Sequence, residues 1–171
     1  MDHIKRIFTL LLCSIIVLCS FSSCSKQSHA PCREVLDAMM KAEIGLPAGR
    51  VYDLSAKEGD NEYLDERVIT SLFGEGATPP MRRGWIDLAL FLPTSSHPCE
   101  MAVFLCDSPD TAADTARILC RRIDIIKSTK GGGEYALMLD CATVTIIKNY
   151  VLFIISSDTE TARRSARNII K

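Results

Sequence analysis

Histidine is scarce in this chain, with three in 171 residues, and one of them is His3 near the start. The other two are His29 and His97. A serine hydrolase needs a histidine base, and no Gly-x-Ser-x-Gly pattern accompanies His97. The scarcity of histidine therefore excludes an ordinary serine triad.

The chain also lacks an excess of charge of either sign. Its 20 Lys and Arg face 21 Asp and Glu, a formal net charge of −1. Proteins that bind nucleic acid present a basic surface to the phosphates, so we predict no nucleic-acid partner. Uncharged runs are short as well. Residues 7–21 form fifteen residues without a charge, and a membrane-spanning helix needs about 20.

The first two dozen residues have the pattern of a bacterial lipoprotein signal peptide. Lys5 and Arg6 precede the uncharged run, and Phe21-Ser22-Ser23-Cys24 ends it with small residues before a cysteine. We expect residues 1–23 to be removed and Cys24 to carry fatty acids such as palmitate. Two acyl chains anchor a protein stably, whereas one chain is marginal. The alternatives are an uncleaved anchor helix and ordinary secretion with cleavage at another small residue.

We therefore expect three parts: a signal peptide at 1–23, a lipidated tether at 24–31 and one domain at 32–171. The domain is long enough to bury a core of its own.

Five cysteines follow Cys24, and an odd number without paired spacing does not indicate a disulfide framework. Three of the five lie in apolar patterns, and we expect them in the core: Cys106, Cys120 and Cys141.

Hydrophobic periodicity predicts an α+β fold. Helical spacing of apolar residues is found at about 32–43, at 64–73, after Ser108-Pro109, and in a last helix with Ser157 and Glu160 as its capping box. Apolar or alternating runs at 85–92, 100–106, 142–148 and 150–156 predict strands. From residue 85 onward the order is strand-strand-helix, twice. We therefore expect an antiparallel sheet covered by helices on one face, with an N-terminal helical segment.

Several short patterns resemble domain-of-unknown-function family 4358, which comprises small lipoproteins of Firmicutes. They are 100–104 (Glu-Met-Ala-Val-Phe), Arg121-Arg122, Thr143-Val144 leading to 150–155 (Tyr-Val-Leu-Phe-Ile-Ile), and 57–60 (Lys-Glu-Gly-Asp) followed by Tyr63-Leu64. The resemblance covers nearly all of the mature chain. It implies the same lipid anchor, and it implies no reaction, cofactor or catalytic residue.

His97 and Cys99 are the one place where an imidazole and a thiol lie close together in the mature sequence. A cysteine nucleophile needs such a base within hydrogen-bond reach, so an envelope hydrolase or thiol enzyme is the alternative function. A plain hairpin loop explains the same residues. His29 and Cys32 have the spacing of half a zinc site, but no second half follows. The acidic residues at 60–66 have the wrong spacing for a calcium-binding loop. We therefore predict no metal, cofactor or catalytic site.

The last helix carries a basic stripe of Arg163, Arg167 and Lys171. Such a stripe suits an anionic membrane or an anionic wall polymer, and an ordinary solvated helix face is the simpler explanation, since basic stripes are common on amphipathic helices. Taken together, these patterns predict a lipid-anchored protein on the outer face of the cell membrane. We expect it to be a non-catalytic module that binds an envelope protein or polymer.

Overall fold

The computed structural model describes residues 29–74 and 84–170. The signal peptide, Cys24, most of the tether, the loop at 75–83 and Lys171 therefore lie outside the described residues. The elements in chain order are α1 (Cys32–Ala42), β1 (Gly49–Asp53), α2 (Glu66–Phe73), β2 (Trp85–Pro93), β3 (Glu100–Cys106), α3 (Pro109–Lys130), a 3₁₀ turn (Gly133–Tyr135), α4 (Ala136–Asp140), β4 (Thr143–Ile147), β5 (Tyr150–Ile155) and α5 (Thr159–Ile169).

The five strands form one antiparallel sheet in the order β1-β2-β3-β5-β4. The predicted α+β class and the two hairpins are confirmed. In the second hairpin, Lys148 and Asn149 form the turn, and Lys148 has a positive φ of 54°. Two-residue hairpin turns require such left-handed backbone because it matches the twist of the strands.

Helices cover both faces of this sheet, so the prediction of helices on one face is wrong. One face packs against α1 and α5, through Leu36, Met39 and Ala166 among others. The opposite face packs against α2, α3 and α4, through Phe73, Leu119 and Leu139 among others. The physical reason lies in the two central strands, since every residue of β3 and of β5 is buried. A strand that is apolar on both sides must be covered on both sides.

The two strand-strand-helix units, β2-β3-α3 and β4-β5-α5, therefore have opposite handedness. A two-fold rotation about an axis perpendicular to the sheet would place β3 on its antiparallel neighbour β5. The same rotation would keep each helix on its own face of the sheet. Because α3 and α5 lie on opposite faces, no such rotation superposes the two units. The repeat in element order is therefore not a structural duplication.

The sheet has two ends, the Tyr150 end and the Glu100 end. The Tyr150 end holds the starts of β2 and β5 and the ends of β3 and β4. The Glu100 end holds the β2–β3 loop, the end of β5 and the start of β4. Helix α1 begins at the Tyr150 end, where the Cys32 amide donates to Asp87, and it ends at the Glu100 end, where Glu43 accepts from the Ser157 amide.

Candidate functional site

The predicted thiol site lies in the β2–β3 loop at the Glu100 end. His97 and Cys99 are close together, but the Cys99 backbone amide donates to His97 Nδ1 at 3.1 Å. The His97 ring also packs edge-on against Tyr135, with ring centroids 4.9 Å apart. The imidazole nitrogen nearest to Cys99 therefore accepts a backbone hydrogen bond and is not placed to take the thiol proton.

The Cys99 side chain is itself buried. Burial, together with the nearby carboxylates of Glu43 and Glu100, raises the pKa of the Cys99 thiol to about 12. A nucleophilic cysteine needs a lowered pKa and access to solvent, because the thiolate is the reactive form. The geometry of this loop is that of a packed hairpin connection, and it opposes a thiol enzyme at His97 and Cys99.

The five described cysteines fall into two groups. Cys32, Cys99 and Cys106 are buried, whereas Cys120 and Cys141 are exposed, and all five are free thiols. The prediction that Cys106 lies in the core is confirmed. The same prediction for Cys120 and Cys141 is wrong, because Cys120 lies on the solvent side of α3 and Cys141 in the turn after α4. Within the described residues, no three His, Cys, Asp or Glu side chains cluster so as to hold a metal ion.

A buried ion pair joins the sheet to α3 at the Glu100 end. Arg122 makes a two-pronged contact with Glu100, at 2.7 Å from Nη2 to Oε1 and 3.2 Å from Nε to Oε2. The two side chains are 17% and 7% exposed, respectively. Paired carboxylate and guanidinium groups of this kind satisfy each other. Glu100 therefore fixes the position of α3 and is not available as a catalytic acid.

Two further polar atoms at this end are buried without a hydrogen-bond partner among the described residues. They are Glu43 Oε2 and Ser156 Oγ. The other carboxylate oxygen of Glu43 accepts from the Ser157 amide at 2.9 Å. Folded proteins leave few buried polar atoms without a partner, so these two atoms distinguish the Glu100 end.

The Glu100 end also carries exposed apolar side chains. Ile44, directly after α1, is 92% exposed, and Leu137 in α4 is 81% exposed. They are the two most exposed large hydrophobic residues in the described part of the chain. The sequence patterns did not predict the exposure of either residue, because a single leucine or isoleucine near a helix end can be buried or exposed.

The basic stripe on α5 is only partly available for contacts. Arg163 pairs with Glu160 one turn earlier, while Arg167 is exposed. Arg163 also lines a shallow depression of about 400 Å³ beside Cys141 and Asp158. The capping box predicted for this helix is wrong in detail, since Asp158 and not Ser157 is the N-cap and accepts from the Thr161 amide.

The Tyr150 end has a different character. Asp87 accepts hydrogen bonds from the amides of Cys32 and Leu88, both at 2.8 Å. The Tyr150 hydroxyl donates to the Ala30 carbonyl at 2.7 Å. Burial and the nearby Cys32 and Asp87 raise the pKa of Tyr150 to about 12, so its hydroxyl is a donor at neutral pH. The tether is thus fixed to the sheet from its first described residues.

Trp85 is half-buried and packs against the core on the face of the sheet that α3 covers. Its indole Nε1 donates to Thr115 Oγ1 at 2.8 Å. Its ring packs against Phe73 and Phe104, with centroids 6.4 Å and 4.8 Å away. The polar edge of the indole is satisfied, and the ring contacts two aromatic core residues, so these contacts explain Trp85 by packing.

Comparisons with known proteins found no match. No family model matches the chain. No curated protein and no solved structure matches it either. The resemblance to family 4358 therefore stays a prediction that rests on short sequence patterns.

Proposed function

We propose that this chain is an extracytoplasmic lipoprotein, anchored to a bacterial cell membrane by lipid on Cys24. Its folded domain serves as a non-catalytic module that binds another protein of the envelope. The observation that carries the anchor is the sequence Phe21-Ser22-Ser23-Cys24 at the end of a short uncharged run. In the described residues, no helix has both the length and the apolar character needed to cross a membrane.

The arrangement at the Glu100 end supports a binding role. Ile44 and Leu137 are the two most exposed large apolar side chains among the described residues, and apolar side chains are typical of the buried centre of a protein–protein interface. A protein partner suits these two side chains better than an anionic wall polymer, because a polyanion is bound by cationic groups, and Arg163 is paired with Glu160 while only Arg164 beside it is exposed.

The anchor is tested by labelling cells with a clickable palmitate analogue. We expect the wild-type protein to be labelled and Cys24→Ala to be unlabelled. Cys19→Ala is the matched control, because it removes a cysteine from the uncharged run and should leave the label in place. Equal labelling of the wild type and Cys24→Ala would contradict the anchor.

The binding role is tested by chemical crosslinking in native membranes, followed by capture of the lipidated protein. Ile44→Ser with Leu137→Ser should abolish a recurrent crosslinked protein. Ile86→Ser with Ile146→Ser is the matched control, since these two isoleucines are also exposed but lie toward the Tyr150 end of the sheet. Surface changes of this kind alter stability by about 0.5 kcal/mol or less, so the fold is preserved in both variants. Equal loss of the crosslink in both double variants would contradict a surface at the Glu100 end.

A further inference from the structure

The point at which the tether meets the folded domain is fixed by several contacts. The Ala30 carbonyl accepts from the Tyr150 hydroxyl, the His29 ring lies edge-on to the Tyr150 ring with centroids 6.3 Å apart, and the Cys32 amide donates to Asp87. Tyr150 is the first residue of β5, and Asp87 lies near the start of β2. The chain therefore enters the domain at the Tyr150 end of the sheet.

Only four residues lie between Cys24 and His29, so five Cα–Cα steps separate the two. A fully extended chain spans at most about 3.6 Å per residue, so Cys24 lies within roughly 18 Å of the Tyr150 end. The domain is longer than this. Strand β2 has nine residues and spans roughly 27 Å, and α3 has 22 residues and spans roughly 33 Å. The tether is too short to run back along the sheet to the Glu100 end.

We infer that the Tyr150 end of the sheet faces the membrane that holds the Cys24 lipid, and that the Glu100 end points away from it. The inference rests on the lipid anchor proposed above. It commits to one occupant for the Tyr150 end, namely the surface of the bilayer into which the acyl chains of this same protein insert. Ile44 and Leu137 then face outward, where another envelope protein can reach them.

Charge at the Tyr150 end is mixed. Lys148 in the β4–β5 turn and Arg167 near the end of α5 are exposed, and so are the carboxylates of Glu34, Asp107 and Asp110. The described residues of this end contain no cluster of several Lys and Arg, which strong electrostatic attraction to anionic lipids needs. The acyl chains and the short docked tether therefore set the orientation, and moderate salt should not change it.

The orientation is tested with a matched pair of isoleucine substitutions. Ile86→Cys places a thiol at the Tyr150 end, where Ile86 is 56% exposed, and Ile44→Cys places one at the Glu100 end. Both are made in the full chain with the exposed thiols removed by Cys120→Ser and Cys141→Ser. The purified lipidated proteins are labelled with a fluorophore. They are then reconstituted into phosphatidylcholine vesicles that contain a lipid with a nitroxide quencher on its headgroup.

We expect the fluorophore at position 86 to be quenched several-fold more strongly than the fluorophore at position 44. Equal quenching, or stronger quenching at position 44, would overturn the orientation. Inserting about twelve Gly and Ser residues between Ser28 and His29 adds a flexible spacer of roughly 20 Å and should bring the two signals together. An unchanged ratio after the insertion would show that the tether does not set the orientation.

Failure of the anchor gives a different result from failure of the orientation. If Cys24 carries no fatty acid and the protein does not float with the vesicles, both the proposed anchor and the orientation fall. If the protein is lipidated and floats but the two fluorophores are equally quenched, only the orientation falls. Tyr150→Phe removes the hydrogen bond to Ala30 without removing the ring, and it should reduce the difference in the same direction as the insertion.

Discussion

The two ends of the sheet differ in how completely their polar groups are satisfied. At the Tyr150 end, Asp87 accepts from two amides, Tyr150 donates to the tether, and the Thr115 hydroxyl accepts a hydrogen bond from the indole N–H of Trp85. At the Glu100 end, Glu43 Oε2 and Ser156 Oγ are buried without a partner among the described residues. The same end carries the exposed side chains Ile44 and Leu137.

This difference matters because a chain optimised only for stability would satisfy both ends alike. Departures from local consistency concentrate where a protein performs its function. The Tyr150 end holds the tether and the start of α1, and its contacts serve stability. The Glu100 end contains the features that stability does not explain, and in the proposed orientation it faces away from the membrane.

The largest expected effect concerns the ion pair that holds the Glu100 end together. Arg122→Ala leaves the Glu100 carboxylate buried and unpaired, and we expect the free energy of unfolding to fall by about 3–5 kcal/mol. The measurement is urea denaturation of the purified protein. Arg117→Ala is the matched control, because Arg117 is exposed and pairs with Asp114 on the same helix. It should cost at most about 1 kcal/mol.

Replacing both partners of the buried pair sharpens the same test. Glu100→Leu with Arg122→Met removes both charges and should recover most of the lost stability, since no unpaired charge remains. A double variant as unstable as Arg122→Ala would mean that the pair contributes through packing rather than through charge. An Arg122→Ala protein as stable as the wild type would show that α3 is not fixed by this contact.

The rates at which the cysteine thiols react give a second comparison of the two ends. Cys32 at the Tyr150 end and Cys99 at the Glu100 end are buried, and burial is the main cause that raises the pKa of each thiol. A nearby carboxylate, Asp87 for Cys32 and Glu43 for Cys99, adds to the rise in pKa. In the folded lipidated protein, we expect maleimide to modify Cys120 and Cys141 at least about a hundredfold faster than either buried thiol. Mass spectrometry of digested samples over time gives the rates.

The pH dependence of the maleimide reaction reports how much of each cysteine is in the reactive thiolate form. Because the pKa of Cys99 is raised to about 12, its thiolate fraction should still be increasing with pH well above pH 9. Modification of Cys99 at neutral pH as fast as that of Cys141 would contradict a packed loop at the Glu100 end. That result would revive the thiol enzyme as a function.

A pair of hydroxyl deletions gives the smallest effect and the most direct comparison of the two ends. Thr115→Val removes the acceptor for the Trp85 indole and should destabilise the protein by about 1–3 kcal/mol. Ser156→Ala removes a buried oxygen that has no partner among the described residues, so we expect stability to be unchanged or to rise by about 1 kcal/mol. Equal losses from the two deletions, measured by urea denaturation, would contradict the difference between the ends.

Much of the secondary structure follows from local sequence patterns. Strand β3 was predicted at its observed bounds, and the start of α3 at Ser108-Pro109 was correct, since the Ser108 hydroxyl accepts from the Thr111 amide. These elements are determined by residues close together in the chain. The short helix α4 was not predicted, because its five residues lack a cap and a clear period.

The arrangement of the layers could have been predicted more closely than it was. The uniformly apolar run at 150–156 is typical of a central strand, and such a strand requires cover on both faces. What the sequence does not contain is which helix covers which face. That choice depends on contacts such as those between α1 and α5, which lie more than 100 residues apart along the chain. The exposure of Cys120, Cys141, Ile44 and Leu137 depends on the same long-range packing.

The measurement that tests the account most directly is site-specific photocrosslinking in native membranes. A photoreactive amino acid is placed at position 44 in one protein and at position 86 in another, with Cys24 intact in both. We predict that position 44 crosslinks to a protein and position 86 to phospholipid. Phospholipid at position 44 and protein at position 86, or the same product from both positions, would contradict an outward-facing binding end on a membrane-anchored domain.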